Sequence, residues 1–499
     1  MRYLLLFLFL VGCASKQKVY TQGAVAADHF LASKAGVQIL KQGGNAIDAA
    51  VATSFALSIV RPESCGIGGG GFLIIDSPNM HPVALNYRET APECVYPSYY
   101  ETNDSRKGAT AAGVPGTVAG LLEAHHRYGV LDRSKVLAPA IQLANSLQAN
   151  DQANALCAIS LQGRKGFYQG EVADAIVRAT KGHITHTDLK SYSPLWVKPL
   201  LVGIGNGNTL VSMPPPSSGG IAIAQIIALL QRTLPAKPVI NEEAYAQLLV
   251  ESLKHAFADR AEHLADPEFI DVPVQKLLSK EYLDTLASRI QIDKTFNPYV
   301  YGSVVVPDDD GTSHLCVVDR DGMMVSLTET INTHFGSEVE VVPFGFMLNN
   351  EMDDFSSLSG SNIYGLQQSD KNLPEPGKRP LSSMSPTIIE HDGTPFLAVG
   401  GSGGPRIISA TAQVLLRILW LDEEPWQAVE HTRLHHQWMP NSVYLEAASK
   451  NLSVERHLQS IGHQTKDRKD IGVVQVLQVK DGEMMPYSDP RKGGLASGF

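Results

Sequence analysis

Apolar residues along this chain recur at two periods, one helical and one alternating. Helical spacing runs from Ala46 to Ile59, with Asn45 placed as its N-cap. The same spacing predicts helices at Val118–Tyr128, Ile221–Leu230, Glu242–Leu264 and Ile407–Leu416. Phe72–Ile75 and Val83–Tyr87 read as strands around a Pro-containing turn, and Phe396–Val399 reads as another. Met213–Gly220 is a rigid Pro/Ser/Gly loop feeding the Ile221 helix. After the acidic turn Asp308-Asp309-Asp310-Gly311, Thr312–Val318 and Met323–Thr330 alternate as two strands. Asp319-Arg320-Asp321-Gly322 joins them as a tight hairpin. With Arg320 and Asp321 at the turn centre, Thr312 falls opposite Glu329 to within about a residue. Thr330 therefore lies close to Thr312, and the alternation of strands and helices predicts mixed α/β layers.

The chain has 499 residues, 43% of them hydrophobic, which is ample for a sizeable core. Its length admits two to four domains or one large α/β unit. A formal charge of −10 without a Lys/Arg run excludes a nucleic-acid partner. No stretch reaches the roughly 18 apolar residues that span a bilayer. Collagen-like, coiled-coil and disordered classes are excluded as well.

The N-terminus stands apart. Arg2, the apolar run Leu4–Val11 and Gly12-Cys13-Ala14 make a secretory signal over residues 1–12. Leu10-Val11-Gly12-Cys13 resembles the bacterial lipobox, which implies lipidation of Cys13 and a tether without a membrane span. Ala14 fits outer-membrane sorting by the same analogy. Residues 13–22 then form a linker to a domain over 23–499. Cys65, Cys94, Cys157 and Cys316 fit no zinc spacing and permit up to two disulfides. Free buried thiols are the expectation.

Several motifs carry candidate chemistry. Gly66-Ile67-Gly68-Gly69-Gly70-Gly71 has the GxGxxG form, but it follows a helix and precedes a strand, the reverse of a dinucleotide site. Close backbone packing accounts for it better. Gly400-Gly401-Ser402-Gly403-Gly404 has the GxSxG form in strand–turn–helix context, with Asp422 and His435 or His436 following. Either Ser402 is a nucleophile, or Gly403 and Gly404 present backbone N–H groups to an oxyanion. Glu351, Asp353 and Asp354 are a solvated turn or an ammonium site. Arg88 is a surface ion pair or a carboxylate clamp, and Ser382-Ser383 cap a turn or bond a carboxylate. His435-His436 lacks a third ligand, so no metal and no cofactor are expected. Thr312 opens a strand. Were the chain cut before it, a free α-amine with a pKa of about 7.7–8.0 could serve as base for its own hydroxyl.

Taken together, Thr312-Ser313-His314, Thr330-Ile331-Asn332, Leu348–Phe355 and Lys378–Pro386 resemble the γ-glutamyltransferase family. So do Gly43–Ala50, Asn86-Tyr87-Arg88-Glu89, Gly113-Val114-Pro115-Gly116 and the loop at 213–220, in the family's order from about Gly23 to Gly494. The resemblance implies an α/β (α+β) fold, a four-layer αββα sandwich of the N-terminal nucleophile hydrolase type. It implies self-cleavage between Gly311 and Thr312 into a large subunit, 13–311, and a small subunit, 312–499. Thr312 matches the nucleophile and Thr330 its supporting threonine. Arg88, Ser382 and Ser383 match the groups on the γ-glutamyl α-carboxylate. Asn332, Glu351 and Asp354 match those around the α-amine. Gly403 and Gly404 match the oxyanion hole, which leaves Ser402 a turn residue.

The implied activity is γ-glutamyl transfer or hydrolysis through a Thr312 ester. Glutathione is the expected donor, and water, an amino acid or a peptide the acceptor. The chain is expected to be exported, lipid-anchored and periplasmic or at the outer membrane, touching membrane only through the anchor. Departures from the family pattern are Ser313 for a frequent threonine and Pro405, which lacks an N–H. Ser356–Pro374, with Tyr364, resembles a lid loop. Three readings remain open: a cephalosporin or glutaryl acylase on the same scaffold, a Ser402 hydrolase, and a lipoprotein without activity.

Overall fold

The structure, a computed structural model, describes residues 17–234, 241–302, 311–358, 369–447 and 450–499. The signal segment with Cys13, the Asp308–Asp310 triplet and Tyr364 with most of the expected lid lie outside the described residues.

Two antiparallel sheets lie face to face. The larger orders its strands Ser497–Gly498, Gly23–Ala27, Ser313–Asp319, Met324–Thr330, Gly70–Ser77, Met80–Tyr87 and Leu195–Val197. The smaller runs Glu483–Ser488, Val473–Lys480, Thr394–Ser402, Thr387–His391, Asn208–Ser212 and Leu200–Gly205. Side-chain alternation makes the layers. Ala24, Ala26, Phe72, Ile74, Cys316 and Val318 point between the sheets and meet Ile388, Ala398 and Leu477 of the other sheet. Their neighbours Val25, Ala27, Leu73, Ile75, Leu315 and Val317 point outward into a helical layer that includes Ala46–Val60. Leu397, Val399, Val474 and Val476 face a second helical layer built from Gly219–Thr233, Glu242–His263 and Arg406–Leu421. A strand covered on both faces has no solvent side, which is why every residue of Ser313–Asp319 is buried, Ser313, His314 and Asp319 included. The expected four-layer αββα sandwich is the architecture found.

The helix after Asn45 spans Ala46–Val60, and Asn45 Oδ1 accepts from the N–H groups of Ile47 and Asp48, both at 3.1 Å. All its residues but the last are buried, because the sheet and further helices enclose it. The hairpin register differs from expectation by one residue: Ser313, not Thr312, pairs with Glu329. Asp319 causes the shift. Its Oδ1 accepts from Asp321 N at 3.0 Å and Met323 N at 3.1 Å, which centres the turn on Asp321. All four described cysteines are free; Cys65 and Cys316 are buried, whereas Cys94 is exposed and Cys157 half-buried.

Candidate functional site

Parity along the central hairpin places the candidate nucleophile. His314, Cys316 and Val318 face the inter-sheet layer, and Thr312 shares their parity at its open end. On the partner strand Ser326, Thr328 and Thr330 face the same way. The shifted register thus carries Thr312 to Thr330, with their hydroxyl oxygens 3.3 Å apart. Thr330 Oγ1 donates to the Gly311 carbonyl at 2.9 Å and accepts from Asn332 N at 2.8 Å. Thr312 Oγ1 also reaches the Gly311 carbonyl. Lys492 Nζ holds the Thr312 carbonyl at 2.5 Å and Asp28 Oδ2 at 2.7 Å.

The glycines of 66–71 let this end of the sheet close. A Cβ on Gly69 would collide with the Thr330 carbonyl, and one on Gly68 with the Met347 carbonyl. The segment packs backbone against backbone, as the sequence suggests.

One pocket gathers residues from distant parts of the chain. Thr312, Thr330, Asn332, Arg88, Glu351, Asp354, Ser382, Ser383 and Gly404 line it, with Arg260 added. Of the residues expected to act on the donor, Gly403 alone is not on its wall. It precedes Gly404 at the start of the Arg406–Leu421 helix, and both take positive φ, 117° and 57°. Pro405 caps that helix.

Arg88 is 1% exposed and almost fully engaged. Its Nη1 lies 2.5 Å from Glu351 Oε2, its Nη2 2.5 Å from Asp354 Oδ2, and its Nε 3.3 Å from the Pro380 carbonyl. Glu89 stands 3.6 Å from Nη1. Burial works against the charge on Arg88, but Glu351, Asp354 and Glu89 outweigh it and raise its pKa. Burial raises the Glu351, Asp354 and Glu89 carboxyls, with Arg88 opposing. Glu351 is fully buried, and the Arg88 guanidinium is its ion-pair partner.

Ser382 and Ser383 are held from behind. Ser382 Oγ accepts from Met384 N at 3.1 Å, and its carbonyl accepts from Ser218 N at 2.8 Å and Ser218 Oγ at 2.7 Å. The loop at 213–220 therefore serves as a backstop to the serine pair.

The Ser402 alternative does not assemble. Ser402 Oγ turns to Asp28 Oδ2 at 3.4 Å. Asp422 lies beyond the 16-residue helix Arg406–Leu421, about 24 Å of helix away. His435 is engaged by Ser409 and Gln437, and His436 Nδ1 accepts from Trp438 N. Gly400 is glycine because a Cβ would sit 2.7 Å from His314 Nε2, not because a nucleophile needs an elbow.

Arg260, Glu89, Lys492 and Asp28 join the site without being singled out by the sequence pattern. Arg260 sits in a helical run that also carries Glu251, Lys254, His255 and Asp259, so the pattern of the sequence does not mark it out.

A family model described as Gamma-glutamyltranspeptidase matches residues 32–146 and 144–499. The glutathione hydrolase proenzyme of Pseudomonas aeruginosa is 39% identical over 95% of this chain and 94% of its own length. That of Escherichia coli is 36% identical over 96% and 92%. A cephalosporin acylase from Bacillus halodurans superposes with a TM-score of 0.85 over 98% of both chains, at 23% identity. A gamma-glutamyltranspeptidase from Pseudomonas nitroreducens, complexed with L-DON, matches 55% of this chain and 95% of that one, at 35% identity and a TM-score of 0.50. With matches of that length over a chain of this fold, the protein belongs to the gamma-glutamyltranspeptidase family.

Proposed function

We propose that the chain is a self-processing γ-glutamyltransferase and hydrolase acting on glutathione and related γ-glutamyl amides. The observation that carries this is the Thr312–Thr330 pair beside a buried Arg88 that faces Glu351 and Asp354. A γ-glutamyl head is a zwitterion, and recognising it takes a cation for one end and carboxylates for the other.

In the precursor, Thr312 Oγ1 attacks the Gly311 carbonyl carbon while Thr330 Oγ1 donates to its oxygen. The peptide C–N bond breaks, the α-amine of Thr312 gains a proton, and an ester links Gly311 to Oγ1. Water hydrolyses the ester and frees the nucleophile with its own amine as base. The large subunit then ends at 311 and the small subunit begins at 312, both within one sandwich.

In turnover, Thr312 Oγ1 attacks the γ-amide carbonyl, and the N–H groups at Gly403 and Gly404 face the developing oxyanion. Arg88, Ser382 and Ser383 take the α-carboxylate; Asn332, Glu351 and Asp354 take the α-amine. The leaving amine carries off the proton. Water, an amino acid or a peptide then accepts the γ-glutamyl group from the ester. Residues 1–12 direct export and Cys13 carries a lipid, which metabolic labelling with palmitate would test on a Cys13→Ala control.

Glu351 and Asp354 favour a γ-glutamyl donor over a glutaryl one, which has no ammonium for them to bind. Intact masses under denaturing conditions, with N-terminal sequencing of the smaller species, test the reading. Two chains, one starting at Thr312 and together hydrolysing a γ-glutamyl anilide, are expected. A single stable chain without that activity would overturn it.

A further inference from the structure

We propose that Arg260 is a second cation for the α-carboxylate of the donor, with its Nη1 donating directly to a carboxylate oxygen. The inference rests on the γ-glutamyl reading and names a residue that reading lacks.

Arg260 lies near the end of the helix Glu242–His263, is 2% exposed and lines the pocket that holds Thr312. Two of its three nitrogens are used: Nε donates to Ser218 Oγ at 3.0 Å and Nη2 to Ser383 Oγ at 3.4 Å. Nη1 is buried and has no hydrogen-bond partner among the described residues. Buried polar groups are almost always paired, so an unpaired N–H pair of a guanidinium at a pocket wall points to a ligand.

Arg88 cannot fill this role alone without first giving up partners. Its nitrogens already meet Glu351, Asp354 and the carbonyls of Pro380 and Leu381. Arg260 Nη1 has no such contact to break.

Its neighbours fix where the carboxylate would sit. Nη2 reaches Ser383, and Nε reaches Ser218, whose hydroxyl donates to the Ser382 carbonyl. The guanidinium is thus locked to the same serine pair that borders the carboxylate site. Two guanidiniums also balance the charge better: Glu89, Glu351 and Asp354 crowd Arg88, whereas Arg260 forms no ion pair of its own among the described residues.

The test compares two anilides on the mature enzyme: γ-glutamyl, and 4-aminobutyryl, which keeps the amine and lacks the α-carboxylate. Arg260→Gln should raise KM for the γ-glutamyl anilide about 10- to 100-fold, the worth of one charged hydrogen bond. It should barely change the 4-aminobutyryl anilide, so the wild-type preference between the two shrinks by the same factor. Arg260→Lys, which keeps the charge without the fork, should fall between. Equal losses on both substrates would show that Arg260 only braces Ser218 and Ser383, and would overturn the proposal. A wild-type enzyme that ignores the γ-glutamyl anilide would instead overturn the donor assignment, and this inference with it. Should Arg260→Gln fail to mature, a crystal structure of the wild-type enzyme with glutamate bound decides. Nη1 within about 3.2 Å of a carboxylate oxygen supports the assignment, and a separation beyond about 4 Å overturns it.

Discussion

Arg88 Nη1 and Glu351 Oε2 are 2.5 Å apart, and neither side chain is more than 1% exposed. Groups assigned to opposite ends of one ligand therefore neutralise each other. A zwitterion entering between them replaces each half by a group of the same sign. Its ammonium stands in for the guanidinium against Glu351 and Asp354, and its carboxylate stands in for the acids against Arg88. No buried charge is left unpaired in the exchange. A glutaryl group brings only the carboxylate, separates the pair and leaves the acids uncompensated. On the proposed assignment, selectivity for the α-amine follows from the pairing itself.

Breaking that pair from one side should be costly. Arg88→Met strands Glu89, Glu351 and Asp354 without their guanidinium, and chemical denaturation should show a loss of about 3–5 kcal/mol. Arg88→Lys should recover part of that stability. It should not recover KM for a γ-glutamyl anilide, because a point ammonium cannot serve two carboxylates in a fork. Arg88→Met combined with Glu351→Met should cost less than the two singles summed. Strict additivity would mean the 2.5 Å contact carries no coupling.

The two nucleophile candidates separate cleanly. Thr312→Ala should yield one uncut chain with no turnover. Ser402→Ala removes only a long hydrogen bond to Asp28, worth about 0.5–1.5 kcal/mol, and should mature and turn over within a few-fold of wild type. Loss of activity in the serine variant with normal maturation would reverse the assignment.

What was legible in the sequence follows from how local each determinant is. Period-two alternation carried Thr312 to Thr330 because a hairpin is local, and the one-residue error came from Asp319, whose side chain lengthens the turn. Asn45 was legible as a cap because the chemistry sits within four residues. Arg88, Glu351 and Asp354 come from segments some 260 residues apart, and no local pattern joins them; the resemblance did. Arg260 escaped notice because its helix is buried nearly all round, so Glu251, Lys254, Asp259 and Arg260 show no polar stripe. The GxSxG run pointed the wrong way for a packing reason, the His314 ring against Gly400.

Glu329 makes stability depend on pH. It points from the hairpin into the helical layer, where Ser54 Oγ contacts its carboxyl. Burial pushes the group from about 4.5 up to about 8, with Ser54 opposing. A carboxyl raised on folding contributes stability that is fully present below about 4.5 and is lost as pH rises through about 8. Glu329→Gln has no proton to lose. Relative to the variant, wild-type melting temperature should therefore fall between pH 5 and pH 8.5, measured by calorimetry at one scan rate. A constant difference across that range would place the carboxyl at its ordinary pKa.

Self-cleavage should depend on a glycine at 311. A Cβ there would lie 2.5 Å from the Asn332 carbonyl oxygen and 2.9 Å from Thr333 Cα, backbone atoms that cannot swing aside. Gly311→Ala must therefore move the Gly311 carbonyl away from Thr330 Oγ1, which now holds it at 2.9 Å. A displacement near 1 Å costs a positioned reaction about 100-fold, so conversion to two chains should slow by about that factor. Once cut, residue 311 is only the end of the large subunit, and activity per processed molecule should stay near wild type. Gels of the maturation time course, with anilide turnover normalised to the processed fraction, check both halves. Unchanged maturation would mean that the Thr330 hydrogen bond does not position the Gly311 carbonyl for cleavage.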